Sequence, residues 1–217
     1  MKRPSLARLY PATAQRWYVR CKVAMDPLYP AVLAALGKSE EPLLDVGCGM
    51  GVLAFYLKQH GWAPAIHGTD FDAAKIATAQ QIAAQHFPDC TFSAGDAAAG
   101  IPPHRGSVSL LDVLQYVTVE ERAALLRACA ERVSAGGLLV IRSSLHSESW
   151  RYQCSRWVDR MAGWVRWIST PAVSHPGEAE ICAVLGAAGM QGEFTPLWGA
   201  MPMNNWLGIF RWPAGPR

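Results

Sequence analysis

The sequence has few charged residues and no long run of apolar residues. Charged residues make up 17% of its 217 positions and hydrophobic residues 51%, which excludes an intrinsically disordered chain. No apolar run approaches the roughly 20 residues that a transmembrane helix needs, so we expect no membrane span. The length suits one large domain better than two small ones.

The cysteines are too widely spaced for the usual cysteine-based sites. None of the six forms a CxxC pair, so the sequence predicts neither a zinc site nor a disulfide framework, and we expect no bound metal. The sequence shows no recognisable signal peptide. The expected compartment is therefore a reducing cytoplasm.

Acidic residues are absent before Asp26, although six basic residues precede it. Basic residues at this density are more typical of a solvated helix face than of an arm that binds nucleic acid. The net charge of +3 is also too small to argue for nucleic acid, so we predict no such partner.

From Leu43 onward, short apolar segments alternate with helical segments. This alternation predicts an α/β fold, with right-handed βαβ units and a parallel sheet covered by helices on both sides. Residues 1–40 are predicted to form an N-terminal helical segment of the same domain. Residues 41–217 form its main part, with a helical insertion at 143–176. The first five strands are predicted at Leu43–Val46, Ala65–Thr69, Cys90–Ser93, Ser107–Leu114 and Leu138–Arg142.

A glycine-rich loop follows the first predicted strand in the segment LLDVGCGMG. The strand ends near Asp45, the loop contains Gly47, Gly49 and Gly51, and a helix is predicted to follow. Glycine permits a tight turn and the close approach of a ligand, and the helix offers free N–H groups. The loop predicts a nucleotide-type binding site, although a purely structural turn would have the same pattern.

Acidic residues recur near the ends of the next three predicted strands, at Asp70, Asp96 and Asp112. In an open α/β sheet these strand ends meet at the edge where ligands bind, and carboxylates there can accept hydrogen bonds from ribose or adenine. Asp45, directly ahead of the glycines, would repel a pyrophosphate but favour a cationic group. The pattern therefore predicts an adenosine ligand with a cationic tail.

The motifs between Leu43 and Arg142 resemble those of the class I S-adenosylmethionine-dependent methyltransferases. LLDVGCGMG is similar to the first motif of that family, GTDFD, AGDA and LLDVLQYV to the next three, and VSAGGLLVIR to the turn into strand five. The resemblance implies S-adenosylmethionine as the cofactor. It also implies a Rossmann-like, doubly wound, seven-stranded sheet with an antiparallel last strand. The implied cofactor contacts are Asp45, Gly47, Cys48, Gly49, Gly51, Asp70, Phe71, Asp96, Ala97 and Asp112.

The catalytic candidates follow strands four and five. Gln115 and Tyr116 occupy the position that faces the methyl group in the family, where many relatives have a histidine. His146 follows strand five and is the best-placed general base, although a surface histidine would look the same. A base is needed only if the acceptor must lose a proton.

The insertion is rich in tryptophan and arginine. In SWRYQCSRWVDRMAGWVRWI, an apolar stripe that includes Trp150, Trp157 and Trp164 shares one helical face. Three interpretations stay open: domain core, a lid over an apolar acceptor, or contact with a membrane surface, where Trp and Arg are typical. Because a tryptophan-rich wall would favour an apolar ligand, we predict an apolar small molecule as the acceptor.

The stretch RLYPATAQRWYVRCKVAMDPLYPAVLAAL is similar to small methyltransferases of bacterial aryl polyene and fatty-acid-like biosynthesis. That resemblance implies an aromatic or polyene acyl acceptor carried on an acyl carrier protein. Arg16, Arg20 and Lys22 would then be docking charges for the acidic carrier.

Two functions outside methyl transfer also fit parts of the pattern. A cofactor-binding protein without catalysis would explain the missing histidine after strand four. An NAD-dependent oxidoreductase would use Asp70, but the GxGxG spacing and the lack of a clear Tyr-x-x-x-Lys pair weigh against it. The sequence does not predict the oligomeric state.

Overall fold

The computed structural model describes residues 5–37, 39–155, 157, 174–199 and 202–213. A short 3-10 turn at Leu6–Leu9 leads into helices α1 (Thr13–Met25) and α2 (Leu28–Leu36). The Leu28 N–H donates a hydrogen bond to Asp26 Oδ1 at 3.1 Å, just ahead of α2.

The described residues form one seven-stranded sheet in the order β3-β2-β1-β4-β5-β7-β6. Strands β1 to β5 pair in parallel, whereas β7 runs antiparallel to both β5 and β6. The predicted fold class, a Rossmann-like doubly wound sheet with an antiparallel last strand, is confirmed. The strands are β1 (Leu43–Val46), β2 (Ile66–Asp70), β3 (Cys90–Ala94), β4 (Ser107–Leu111), β5 (Leu139–Ser144), β6 (Gln191–Pro196) and β7 (Asn205–Arg211).

Helices cover both faces of the sheet because successive strand residues point to opposite sides. Leu43 belongs to a hydrophobic cluster with α1, α2 and the next two helices, whereas Leu44 belongs to a second cluster on the other face. The remaining helices are α3 (Val52–Gln59), α4 (Ala73–His86), α5 (Val119–Arg132) and α6 (Glu178–Ala187).

Strand β4 is shorter than the sequence predicts. It ends at Leu111 rather than Leu114, because Asp112 adopts a left-handed backbone conformation with φ of 59° and a 3-10 turn follows at Leu114–Tyr116. Asp112 therefore follows the strand instead of lying within it. A non-glycine residue in this conformation stores strain, which is most often found near functional sites.

The predicted helical insertion is described only in part. Residues 150–155 and 157 are helical, and the rest of the predicted stripe, including Trp164, lies outside the described residues. Among the helices that the structure describes, none combines the length and the apolar character that crossing a membrane requires.

Candidate active site

The glycine loop lies between β1 and α3, at the point where the strand order reverses between β1 and β4. Gly47, Gly49 and Gly51 all have positive φ angles, of 78°, 54° and 73°. A Cβ on Gly47 would lie 2.3 Å from a methyl carbon of Val113, so close packing requires glycine there. Around Gly49, by contrast, no described atom lies within 4 Å of a Cβ position. The loop is therefore closed on one side and open at Gly49, where a ligand can approach the backbone.

Asp70 holds the glycine loop against the end of β2. Its Oδ2 accepts a hydrogen bond from the Gly49 N–H at 2.8 Å, and its Oδ1 accepts one from the Asp72 N–H at 2.9 Å. Cys48 lies in the same loop and is buried, which raises the pKa of its thiol. Since burial keeps this thiol protonated, Cys48 shapes the loop and is not a nucleophile.

Asp45 is buried beneath the glycine loop, with 2% of its surface exposed. Its Oδ1 accepts a hydrogen bond from the Ser109 hydroxyl at 2.7 Å, across the β1–β4 pair. Burial raises the pKa of Asp45 to about 7, and the hydrogen bond from Ser109 only partly offsets this effect. A cation bound above the loop would favour the ionised form.

The ends of β2 and β3 lie side by side, since the Gly95 N–H donates to the Asp70 carbonyl at 3.0 Å. Phe71 is 56% exposed, and Asp96 is exposed after β3. Ala97 packs against the second hydrophobic cluster. An exposed aromatic face and an exposed carboxylate after adjacent strands suit a planar base that carries an amino group.

The N-terminal segment packs against the glycine loop on the side of α3. Tyr10 is fully buried, and its hydroxyl donates a hydrogen bond to the Met50 carbonyl at 3.2 Å. Its ring contacts Phe55 edge-on at a centroid distance of 6.4 Å. Burial raises the pKa of Tyr10 well above its usual range, so the hydroxyl keeps the proton that it donates.

A cavity of about 620 Å³ lies between α1, the start of α2, the end of β5 and the segment that joins β6 to β7. We call it the acceptor cavity. Its size is within the range of small-molecule sites. The walls of the cavity are mostly apolar and include Trp17, Tyr18, Met25, Leu197 and Met203. Three charged side chains, Lys22, Asp26 and Arg142, also line the cavity.

The charged residues of the acceptor cavity form an ion-pair network with Asp112. Arg142 is 5% exposed and pairs with Asp112 and, at 3.3 Å, with Asp26. Lys22 lies 3.0 Å from Asp26 and 3.9 Å from Asp112. Two cations and two carboxylates therefore balance at the end of the cavity.

The network favours the ionised forms of Asp26 and Lys22. Burial alone would raise the pKa of Asp26, but Arg142 and Lys22 outweigh it and hold this pKa below its usual range. Burial likewise opposes the charge of Lys22, yet Asp112 and Asp26 raise the pKa of that amine. Asp26 is consequently a poor proton acceptor.

Comparison with known proteins identifies the domain that carries the glycine loop. Residues 43–137 match the family model described as a methyltransferase domain, and this match runs from β1 to the turn before β5. The chain contains a methyltransferase domain. The methyltransferase predicted from the motifs is confirmed over this domain, and its predicted cofactor, S-adenosylmethionine, agrees with the SAH bound in similar solved structures. Among curated protein sequences, none matches this chain significantly.

Solved structures match this chain over most of its length. Magnesium protoporphyrin IX methyltransferase from Synechocystis PCC 6803, solved with bound SAH, has a TM-score of 0.64 and 21% identity, and the match covers 94% of this chain and 91% of that one. A pyocyanin biosynthetic protein has a TM-score of 0.68 and 17% identity, covering 94% of this chain and 59% of that one. An O-methyltransferase of neocarzinostatin biosynthesis, solved with SAH and 1,4-dihydroxy-2-naphthoic acid, has a TM-score of 0.65 and 17% identity, covering 89% and 55%. The chain thus spans little more than half the length of the last two.

The described residues fit S-adenosylmethionine. The open space at Gly49 and the exposed face of Phe71 leave room for a ligand along the ends of β1 to β3. Asp45 and Asp70 place carboxylates beneath that space. The structure brings the glycine loop, Asp45 and Asp70 together, and it places Phe71, Asp96 and Ala97 after the neighbouring strands β2 and β3. Asp112 is in ion pairs with Arg142 and Lys22. The contacts of these residues with the cofactor stay predictions.

The catalytic candidates lie around the ends of β4 and β5. Gln115 is buried in the turn after β4, where its Oε1 has no hydrogen-bond partner among the described residues, and Tyr116 is half-buried beside it. His146 is exposed, and its ring lies 5.1 Å from that of Tyr152. No histidine is among the described residues that line the acceptor cavity. Their catalytic roles stay predictions.

Several site residues have no motif in the sequence. Tyr10, Ser109 and Asp26 meet their partners only through the tertiary fold. Arg142 was the exception. Its position inside an otherwise apolar strand indicates an ion pair, because a buried charge must be paired.

Proposed function

We propose that the methyltransferase transfers a methyl group from S-adenosylmethionine to an apolar, aromatic or acyl small molecule. The observation that carries this proposal is the acceptor cavity, whose apolar walls lie beside the strand ends that follow the cofactor loop. The neocarzinostatin enzyme, which was solved in complex with a dihydroxynaphthoic acid, binds a compound of this class.

Methyl transfer requires the protein mainly to position the reactants and exclude water. When bound, S-adenosylmethionine supplies an electrophilic methyl group on a sulfonium. Gly49 gives the ligand access to the loop backbone, and the Asp45 carboxylate favours the cationic tail. The N-terminal helix α1 covers the acceptor side, since Trp17, Tyr18 and Met25 line the cavity there.

The ion-pair network would orient a polar substituent of the acceptor. Asp26 is a poor proton acceptor, whereas the Lys22 ammonium would stabilise an ionised acceptor oxygen. Acceptors with an acidic hydroxyl, such as phenols and naphthols, therefore fit this end better than aliphatic alcohols.

The finer prediction of a polyene acyl group on an acyl carrier protein has less support. Of its three docking charges, Lys22 is paired with Asp26 at 3.0 Å, and Arg16 donates to the Tyr10 carbonyl at 2.6 Å. Arg20 is exposed. We therefore propose a free acceptor.

Turnover of labelled S-adenosylmethionine by the full chain, with hydroxynaphthoic acids, simple phenols and fatty acids as acceptors, tests the proposal. We expect turnover with the aromatic hydroxy acids. Cys21→Phe, which narrows the acceptor cavity, should lower turnover and preserve binding of S-adenosylhomocysteine. Cys182→Phe, on α6, is the matched control and should have no effect on turnover. If millimolar S-adenosylmethionine does not bind in calorimetry, the proposal fails.

A further inference from the structure

Large apolar side chains surround the mouth of the acceptor cavity and are exposed to solvent. Trp17 on α1 is 71% exposed and Met25 at its end is 46% exposed. Both also line the cavity. Soluble proteins seldom cluster exposed aromatic side chains unless they contact a partner.

A second group of exposed aromatic residues continues this surface. The Arg151 guanidinium lies 4.8 Å from the ring of Trp150 and 4.7 Å from that of Trp198, so it is held between two tryptophans. Trp198 is 48% exposed and stands between Leu197 and Gly199, which line the cavity. A Cβ on Gly199 would lie 3.2 Å from the Met25 carbonyl. The two groups are therefore contiguous, and we call them together the tryptophan surface.

The charge of the tryptophan surface is mainly positive. Helix α1 contains no acidic residue, and both Arg16 and Arg20 are exposed beside Trp17. Asp26 is in ion pairs with Lys22 and Arg142, so its charge is compensated. Glu148, which is exposed two residues before Trp150, is the one acidic residue among positions 145–157.

We propose that the tryptophan surface docks on an anionic lipid bilayer, with the acceptor cavity opening toward it. Tryptophan with arginine is the composition of interfacial protein surfaces, because the indole ring enters the headgroup region while the guanidinium pairs with phosphate. The basic α1 supplies the attraction to anionic lipid. This inference rests on the proposed function in one respect, since an apolar acceptor could enter the cavity directly from the bilayer.

Sedimentation of the full chain with vesicles tests the docking. We expect binding to vesicles of phosphatidylcholine with about 30% phosphatidylglycerol, weaker binding to pure phosphatidylcholine, and loss of binding as salt is raised toward 1 M. The W150A/W198A double variant should bind roughly tenfold more weakly, and Arg20→Ala should lose several-fold of the preference for anionic lipid.

Matched controls stand on α5, on a different helix. Val119 is a large exposed apolar residue and Arg127 is an exposed arginine, so Val119→Ala and Arg127→Ala should bind vesicles as the parent does. Because Trp150 and Trp198 are exposed, the double variant should keep its melting temperature within a few degrees.

Two results would overturn the inference: no vesicle binding by the parent protein, or equal binding by the double variant. Binding to an acidic carrier protein without binding to vesicles would overturn it as well. Turnover of a water-soluble acceptor without vesicle binding would contradict the docking alone. Vesicle binding without S-adenosylmethionine binding would contradict the proposed function alone.

Discussion

The cofactor side and the acceptor side of the sheet edge are built in different ways. The cofactor side consists of the backbone of one loop, with Asp70 bonded to the Gly49 N–H and Asp45 beneath it. The acceptor side consists of side chains that come from distant segments: Lys22 and Asp26 near the start of the described chain, Asp112 after β4, and Arg142 on β5.

The difference shows how each side achieves its chemistry. The backbone of one loop can bind the same cofactor in many enzymes, so a short sequence motif is sufficient to specify such a loop. A side-chain cavity can change its acceptor by substitution at its walls while the sheet stays the same. The following predictions separate the two sides, from the largest expected effect to the smallest.

The largest effect is expected on the acceptor side, where removal of the buried Arg142 should destabilise the fold. Arg142→Met leaves Asp26 and Asp112 with only Lys22 to balance them, so the free energy of unfolding should fall by about 3–5 kcal/mol. Urea denaturation measures this loss. Lys75→Met, which breaks the partly exposed pair with Asp72 at 3.3 Å, is the control and should cost less than about 1 kcal/mol. An equal loss in the two variants would contradict the role of the network.

On the cofactor side, a single methyl group should block the ligand. Gly49→Ala and Gly61→Ala both place Cβ in open space at positive φ, of 54° and 88°, so each should cost about 1–2 kcal/mol of stability. Only Gly49→Ala should also weaken binding of S-adenosylhomocysteine, by about tenfold or more, because it fills the space at the loop. Titration calorimetry measures both affinities. Equal affinities would place the ligand elsewhere.

The pKa of Asp45 should make the cofactor side sensitive to pH. The folded pKa of about 7 is above the unfolded value, so the unfolded chain releases this proton first, and the stability of the free protein should fall between about pH 4 and pH 7. A cationic ligand favours the ionised carboxylate. Affinity for S-adenosylmethionine should therefore rise by about tenfold from pH 6 to pH 8.

Asp45→Asn serves as the test of that pH dependence. The variant should bind with an affinity that changes little over the same range. Calorimetry at pH 6, 7 and 8 compares the two proteins, and a parent affinity that is flat with pH would show that Asp45 does not sense the bound cation.

The smallest effect is expected where the N-terminal segment meets the glycine loop. Tyr10→Phe removes the hydrogen bond to the Met50 carbonyl and keeps the ring that packs on Phe55. The free energy of unfolding should fall by about 0.5–1.5 kcal/mol, with a few-fold loss in affinity for S-adenosylhomocysteine. No change in affinity would mean that the Tyr10 hydrogen bond does not influence the conformation of the glycine loop.

The sequence predicted the fold because it depends on local spacing, and the residues assigned to the cofactor side follow from the same pattern. Asp45, the three glycines and Asp70 lie at strand ends that the alternation of strands and helices already indicates. The end of β4 was misplaced, since the left-handed Asp112 does not follow from its apolar neighbours.

The acceptor side was harder to predict because its contacts join residues that are far apart in the chain. Lys22 was interpreted as a surface docking charge, and the structure instead places it in ion pairs. Asp112 was assigned to the cofactor and pairs with Arg142. Charges that compensate one another across a fold have no common motif.

The ion pair between Asp26 and Arg142 also has a consequence for the order of assembly. Helix α1 leaves the ribosome long before β5 does, yet its charged anchor exists only once β5 has joined the sheet. The docking of α1 is therefore completed only after β5 has joined the sheet, and contacts between such distant segments form slowly. During that interval its apolar face is exposed to chaperones and to other nascent chains.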